Sequence, residues 1–168
     1  MPAACVTGAS SGIGRAFAQR LAADGYELLL VARRTERLTE LAAELRARTG
    51  VAAEPLTADL ADPAALAQLA RRLAADPPDL LVNNAGLAHY RPFRDLSAAD
   101  ARELIEVNVT APVLLSGAVV PAMVGRDSGA IINVASLLAF SGSATAPTLP
   151  RRAVYAATKA FLLSLIHI

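Results

Sequence analysis

The feature that most constrains this chain is the stretch Thr7-Gly8-Ala9-Ser10-Ser11-Gly12-Ile13-Gly14. It follows a short apolar run, residues 3–7 (AACVT), that reads as a buried strand. It leads into residues 12–24, where Ile13, Phe17 and Leu21 recur at helical spacing and Gly25 supplies the stop. A strand, a glycine turn and a helix in immediate succession leave few folds open. Gly8 permits the tight turn, Gly12 lets the backbone approach a ligand with no Cβ in the way, and Gly14 allows close helix–strand packing. The free N–H groups at the helix start, aided by the helix dipole, suit an anionic group such as a phosphate. The plainer reading is a glycine-rich turn without function.

The rest of the chain continues the alternation. Residues 27–32 (ELLLVA) read as a buried strand, and Leu38, Leu41 and Leu45 give residues 35–48 an amphipathic helical pattern. Residues 51–57 form a weaker strand, and Asp62-Pro63 opens the next helix with Asp at the N-cap and Pro in the first turn. Residues 79–83 (DLLVN) are a strand. Ser97 and Asp100 resemble a capping box at the start of a long helix to about residue 124, with Pro121 near its end. Residues 130–135 (AIINVA) make a fifth strand, residues 141–152 a Ser/Thr/Pro-rich loop, and a last helix begins near Ala153. Nearly continuous apolar strands separated by amphipathic helices imply an α/β fold with a doubly wound parallel sheet, as one domain over residues 1–168.

Composition narrows the function classes. With 54% apolar and 18% charged residues the chain can bury a core, and a net charge of +1 offers no basic field for nucleic acid. The single cysteine, Cys5, excludes an internal disulfide and reads as a packed strand residue; His89 and His167 show no partner pattern, so no metal is expected. No uninterrupted apolar run reaches bilayer-spanning length and no signal peptide is visible, so the expectation is a cytoplasmic protein with neither membrane nor nucleic-acid partner. The chain carries 15 Arg but one Lys, Lys159, and its Asn residues stand only at 83, 84, 108 and 133. Against such a bias, a retained Lys or Asn points to a task that Arg or Gln would do badly.

TGASSGIG resembles the cofactor loop of the short-chain dehydrogenase/reductase family. Asn83-Asn84-Ala85-Gly86 is similar to that family's NNAG motif, Asn108 in ELIEVNVTAP to its catalytic asparagine, Ser136 after IINVA to its catalytic serine, and Tyr155-Ala-Ala-Thr-Lys159 to its YxxxK motif. The motifs stand in family order over residues 3–161. The resemblance implies a Rossmann-type sheet and a nicotinamide dinucleotide held by Gly8, Ser10, Ser11, Gly12, Ile13, Gly14, Asn83, Ala85 and Gly86, with contributions from Asn108, Tyr155 and Lys159. Asp59, followed by Leu60, would meet the adenine amino group; the competing reading is a turn aspartate. NAD-selective sites place an acid after the second strand, where this chain has Ala32-Arg33-Arg34. Arg33 would attract a 2′-phosphate, so NADP(H) is expected in preference to NAD(H), unless the two arginines merely solvate a helix start.

The implied chemistry interconverts a carbonyl and an alcohol. Tyr155 would supply the proton, and Lys159, one helical turn on, would lower the phenol's pKa and, by the resemblance, bind the nicotinamide ribose. Ser136 would hold the substrate oxygen and Asn108 would anchor a water beside Lys159. A non-catalytic dinucleotide-binding module is the rival, although it would need neither Ser136 nor Tyr155. Two features depart from the family. Ser136 and Tyr155 stand 19 positions apart, more than is usual, the surplus falling in SGSATAPTLPRR. The chain also stops soon after YxxxK, where the family continues with further strands and a substrate loop. The fold is therefore expected to be incomplete at about five strands, with one apolar sheet edge unpaired, and the fragment weakly active or inactive. Residues 163–168 (LSLIHI) are what CTGTCTCTTATACACATC encodes, a transposon end used to fragment DNA, and are expected to be foreign. The full-length protein is expected to be a dimer or tetramer packed through the long helices.

Overall fold

A computed structural model describes residues 1–89, 91–143 and 152–165. Strands β1 (Ala3–Thr7), β2 (Glu27–Ala32), β3 (Ala53–Thr57), β4 (Leu80–Asn83) and β5 (Ala130–Asn133) form one parallel sheet in the order β3-β2-β1-β4-β5. The register sets Leu30 beside Val6 and Pro55, and Val82 beside Val6 and Ile132. Pro55 lacks an N–H but lies on an edge strand, where its unpaired side costs no ladder bond. The chain winds outward from β1 to β3, then crosses back to β4. The strand order thus reverses between β1 and β4, which opens a crevice above the carboxyl ends of these strands.

Helices α1 (Gly12–Ala23) and α2 (Thr35–Thr49) cover one face; α3 (Pro63–Ala75) and α5 (Ala111–Gly125) cover the other. Val6, Leu28 and Leu30 pack with Leu38, Leu41 and Leu45, whereas Cys5, Val31 and Leu81 pack with Leu66, Leu69, Leu73 and Leu115. Successive strand residues serve opposite faces, and in the inner strands both faces are buried, which is why β1, β2 and β4 are nearly continuous in apolar residues, whereas the edge strands β3 and β5 are less buried. The anticipated caps form: the Asp62 carboxylate accepts the Ala64 N–H at 2.9 Å, and the Ser97 hydroxyl oxygen accepts the Asp100 N–H at 3.0 Å.

The long helix departs from a plain α-helix. Helix α4 (Ala98–Ile105) joins α5 through a wider turn, Glu106–Thr110, in which the Ala111 N–H reaches the Glu106 carbonyl. Pro112 supplies the reason. In a regular helix its ring would strike the carbonyl of Asn108, four residues back, and it has no N–H to give that carbonyl. The continuous stretch Ala98–Gly125 is long and apolar enough, by length and composition, to cross a bilayer, which a count of uninterrupted apolar runs had excluded; 44% of its most apolar window is buried inside the fold. Strand β5 is a sheet edge, and Val120, Met123, Ile131 and Leu165 line a groove of about 470 Å³ beside it. Helix α6 (Ala153–Ser164) carries the last described motif. Most of the Ser/Thr/Pro-rich loop (144–151) and residues 166–168 lie outside the described residues, while Leu163 and Ser164 continue α6.

Candidate functional site

The crevice has a volume of about 610 Å³ and is walled by Gly8, Ser10, Ser11, Gly12 and Ile13 on one side, Arg33, Arg34, Asp59 and Leu60 at one end, and Ala85, Gly86 and Val107 opposite. Its floor is organised by Thr7. This side chain is 1% exposed; its hydroxyl donates to the Val82 carbonyl at 3.1 Å and accepts from the N–H groups of Asn84 and Ala85, each at 3.0 Å. The Asn84 side-chain amide donates to the carbonyls of Thr7 (2.9 Å) and Gly8 (3.3 Å). The glycine turn and the NNAG segment are therefore one hydrogen-bonded unit, although 77 residues separate Thr7 from Asn84.

Two glycines show why the turn needs them. Gly14 is wedged against the Gly8 carbonyl and the Asn84 amide, so any Cβ there would overlap backbone. Gly12 has φ +54°, and a Cβ on it would meet no atom within 4 Å. Packing thus requires Gly14. Gly12 sits in an unusual backbone conformation beside open space, at the start of α1 where an anionic group is favoured.

The cation at the glycine turn is Arg34, not Arg33. The Arg34 guanidinium donates to the Ser10 hydroxyl from Nε (3.1 Å) and Nη2 (2.9 Å), and from Nη2 to the Ser11 hydroxyl at 2.6 Å. Arg33, expected at the 2′-phosphate, lines the same crevice but turns toward α4, where its Nη1 lies 3.7 Å from Glu103 Oε1. Adjacent residues leaving a strand point to different sides, and the pair RR does not say which side faces the turn. Asp59 lines the crevice and also accepts the Ala61 N–H at 3.0 Å, so the turn role is present at the crevice wall.

At the other end, Lys159 is buried at 5% exposure. Its ammonium donates to the Val134 carbonyl at 2.7 Å and faces Gly86, whose Cβ, were there one, would stand 3.3 Å from both Lys159 Nζ and Asn108 Oδ1. Burial holds the Lys159 ammonium below the usual lysine range. Asn108 is fully buried; its amide donates to the Leu87 carbonyl (2.9 Å) and Thr158 Oγ1 (3.1 Å), and its oxygen accepts the Leu87 N–H (2.9 Å). Thr158 in turn donates to the Tyr155 carbonyl at 2.8 Å. Asn108 therefore ties α6, which carries Tyr155 and Lys159, to the segment after NNAG. Tyr155 is half-buried one turn before Lys159. Ser136 follows β5, and its hydroxyl oxygen accepts the Leu138 N–H at 3.2 Å.

Two expectations need correction. The Asn83 side chain points away from the crevice: it is 3% exposed and donates to Ser116 Oγ (3.1 Å) and Asn133 Oδ1 (2.9 Å), bracing β4 against α5 and β5. The asparagine that serves the crevice is its neighbour Asn84. His89 does have partners, since Nε2 lies 3.2 Å from Glu103 Oε2 and 3.9 Å from Asp100 Oδ1. Both acids come from α4, a juxtaposition no local spacing announces. Cys5 is fully buried and its thiol is pushed up to about 12 by that burial.

A glycine-turned crevice at the reversal point of a parallel sheet, covered by helices on both faces, defines a Rossmann-type α/β fold. The chain belongs to the short chain dehydrogenase family, whose model matches residues 2–168. It is 38% identical over 164 residues to a very-long-chain 3-oxoacyl-CoA reductase of Mycosarcoma maydis, covering 95% of this chain and 45% of that protein. It is 40% identical over 161 residues to sulfoacetaldehyde reductase 2 of Chromohalobacter salexigens, covering 94% of this chain and 61% of that protein. Among solved structures, a short-chain dehydrogenase from Sphingobium yanoikuyae in complex with NADPH superposes with a TM-score of 0.92 at 43% identity, over 98% of this chain and 62% of the other. A bulky-bulky ketone specific alcohol dehydrogenase from Comamonas testosteroni gives 0.91 at 38% identity, over 98% and 64%. The chain spans about half the length of the first curated relatives it matches.

Proposed function

We propose that this chain is the dinucleotide-binding and proton-relay portion of an oxidoreductase that interconverts a carbonyl and an alcohol, with NADP(H) preferred to NAD(H). The observation that carries the reading is Lys159: the only lysine of the chain is buried between Gly86 and the Val134 carbonyl, one turn from Tyr155. The crevice suits a dinucleotide. Its volume lies within the usual range of ligand pockets, about 300–1,000 Å³. Gly12 opens it at the helix start, and Arg34, whose bonds at the glycine turn are to neutral hydroxyls, brings a cation where a 2′-phosphate would bind. An acid at that place would repel the phosphate, and Ala32 stands there instead.

A bound nicotinamide supplies the hydride. The protein's task is the proton. In this reading Tyr155 donates the proton to the carbonyl oxygen, and the buried Lys159 ammonium stands one helical turn further along α6. Ser136 would hold that oxygen with its hydroxyl proton while its lone pair receives the Leu138 N–H. The Asn108 side chain is committed to Leu87 and Thr158, so it braces the relay. Any water beside Lys159 falls to the Asn108 carbonyl, which Pro112 deprives of its regular helical donor. In the reverse direction Tyr155 is the base.

The substrate is a small molecule carrying a carbonyl or alcohol. Assembly as a dimer or tetramer and a cytoplasmic location belong to the same proposal, and helix α5 leaves Val113, Leu114 and Val124 exposed for such packing. The test is NADPH oxidation by the full-length protein across a panel of ketones, with Tyr155→Phe as control. A rate that collapses in the variant supports the relay; equal rates in the two proteins refute it and leave the non-catalytic binding module.

A further inference from the structure

We infer that Glu103 tunes the choice between phosphorylated and unphosphorylated dinucleotide by competing for Arg33, an inference that rests on the dinucleotide reading above. The two arginines after β2 are electrostatically unequal. Arg34 bonds to the neutral hydroxyls of Ser10 and Ser11, and no carboxylate among the described residues pairs with it. Arg33 lines the same crevice but sits 3.7 Å from the Glu103 carboxylate. Glu103 is on α4, about one helical turn before Val107, which lines the facing wall. The Arg33–Glu103 pair therefore links the β2 end of the crevice to its α4 side.

Glu103 is held in that position from behind. Its Oε2 lies 3.2 Å from His89 Nε2, which leaves Oε1 toward Arg33; His89 Nε2 is 3.9 Å from Asp100 Oδ1, and Asp100 Oδ2 takes Arg91 at 3.3 Å. A 2′-phosphate brings about two negative charges and strong acceptors, and must draw Arg33 from Glu103 to use it. An adenosine with a free 2′-hydroxyl makes no such demand. Glu103 thus weakens NADP(H) binding selectively. The side chains of Arg33 and Glu103 are 54% and 35% exposed, so solvent screens the pair and limits the effect to about two- to fivefold.

The experiment measures dissociation constants of NADPH and NADH by nucleotide fluorescence for the wild-type chain, Glu103→Gln, Arg33→Ala and the double variant. Glu103→Gln should tighten NADPH by about two- to fivefold, leave NADH unchanged, and lose its effect in the Arg33→Ala background. An equal change for both nucleotides, no change for either, or an effect that survives without Arg33 overturns the inference. The cofactor preference is read separately, from the wild-type ratio and from Arg34→Ala. A wild type without preference for NADPH defeats that reading whatever Glu103 does. A wild type that prefers NADPH through Arg34, with a silent Glu103→Gln, defeats only the role of Glu103.

Discussion

Replacing Thr7 by Val is the sharpest test of how the crevice floor is held. The two side chains have nearly the same shape, so the change puts a methyl group in place of the hydroxyl, opens no cavity and leaves the hydroxyl's partners unmatched. Three hydrogen bonds disappear: one to the Val82 carbonyl and one each from the Asn84 and Ala85 N–H groups. Their loss is unequal. The Asn84 N–H also reaches the Val82 carbonyl at 3.0 Å, so those two groups keep each other, whereas the Ala85 N–H is left without that acceptor in a half-buried place. Three bonds at about 1 kcal/mol each, softened by this fallback, give a destabilisation of about 2–3 kcal/mol. For a chain of this size that is a fall in melting temperature of about 4–12 °C. Urea titration and calorimetry read it directly, and Thr7→Ser separates the hydroxyl from the methyl group. Because Thr7 joins the glycine turn to NNAG, dinucleotide affinity should fall with stability in Thr7→Val and recover in Thr7→Ser. A Thr7→Val protein within about 0.5 kcal/mol of wild type would refute the claim that this hydroxyl organises the floor.

Two further predictions concern buried groups. Lys159 is held below its usual pKa by burial, so between its folded and ordinary values the unfolded chain binds more protons than the folded one, and stability rises with pH across that window. Lys159→Met should flatten this rise in a series of urea midpoints taken from neutral pH toward the ordinary lysine range; identical slopes would contradict the assignment. Cys5 is fully buried with its thiol at about 12, so a thiol reagent should label it only as fast as the protein unfolds, and prompt labelling of one equivalent in native protein would contradict that burial.

The alternation of apolar runs and amphipathic stretches was enough to establish five parallel strands, their helices and the glycine turn. Each of those features depends on a few neighbouring residues: a period, a cap, a glycine at positive φ. The Asp62 and Ser97 caps and the Tyr155–Lys159 spacing were legible for the same reason. The wider turn at Glu106–Thr110 was also signalled locally, by Pro112 four residues after Asn108, but a helical period passes over it. Other features depend on partners far away in sequence. Which of Arg33 and Arg34 meets Ser10, which of Asn83 and Asn84 faces the crevice, and which acids surround His89 follow from how β2, β4 and α4 are packed against their neighbours. Side-chain direction on leaving a strand, and the distance across a crevice, are settled by packing over tens of residues. Local pattern could therefore name candidate residues, while the tertiary structure alone decided what each of them touches.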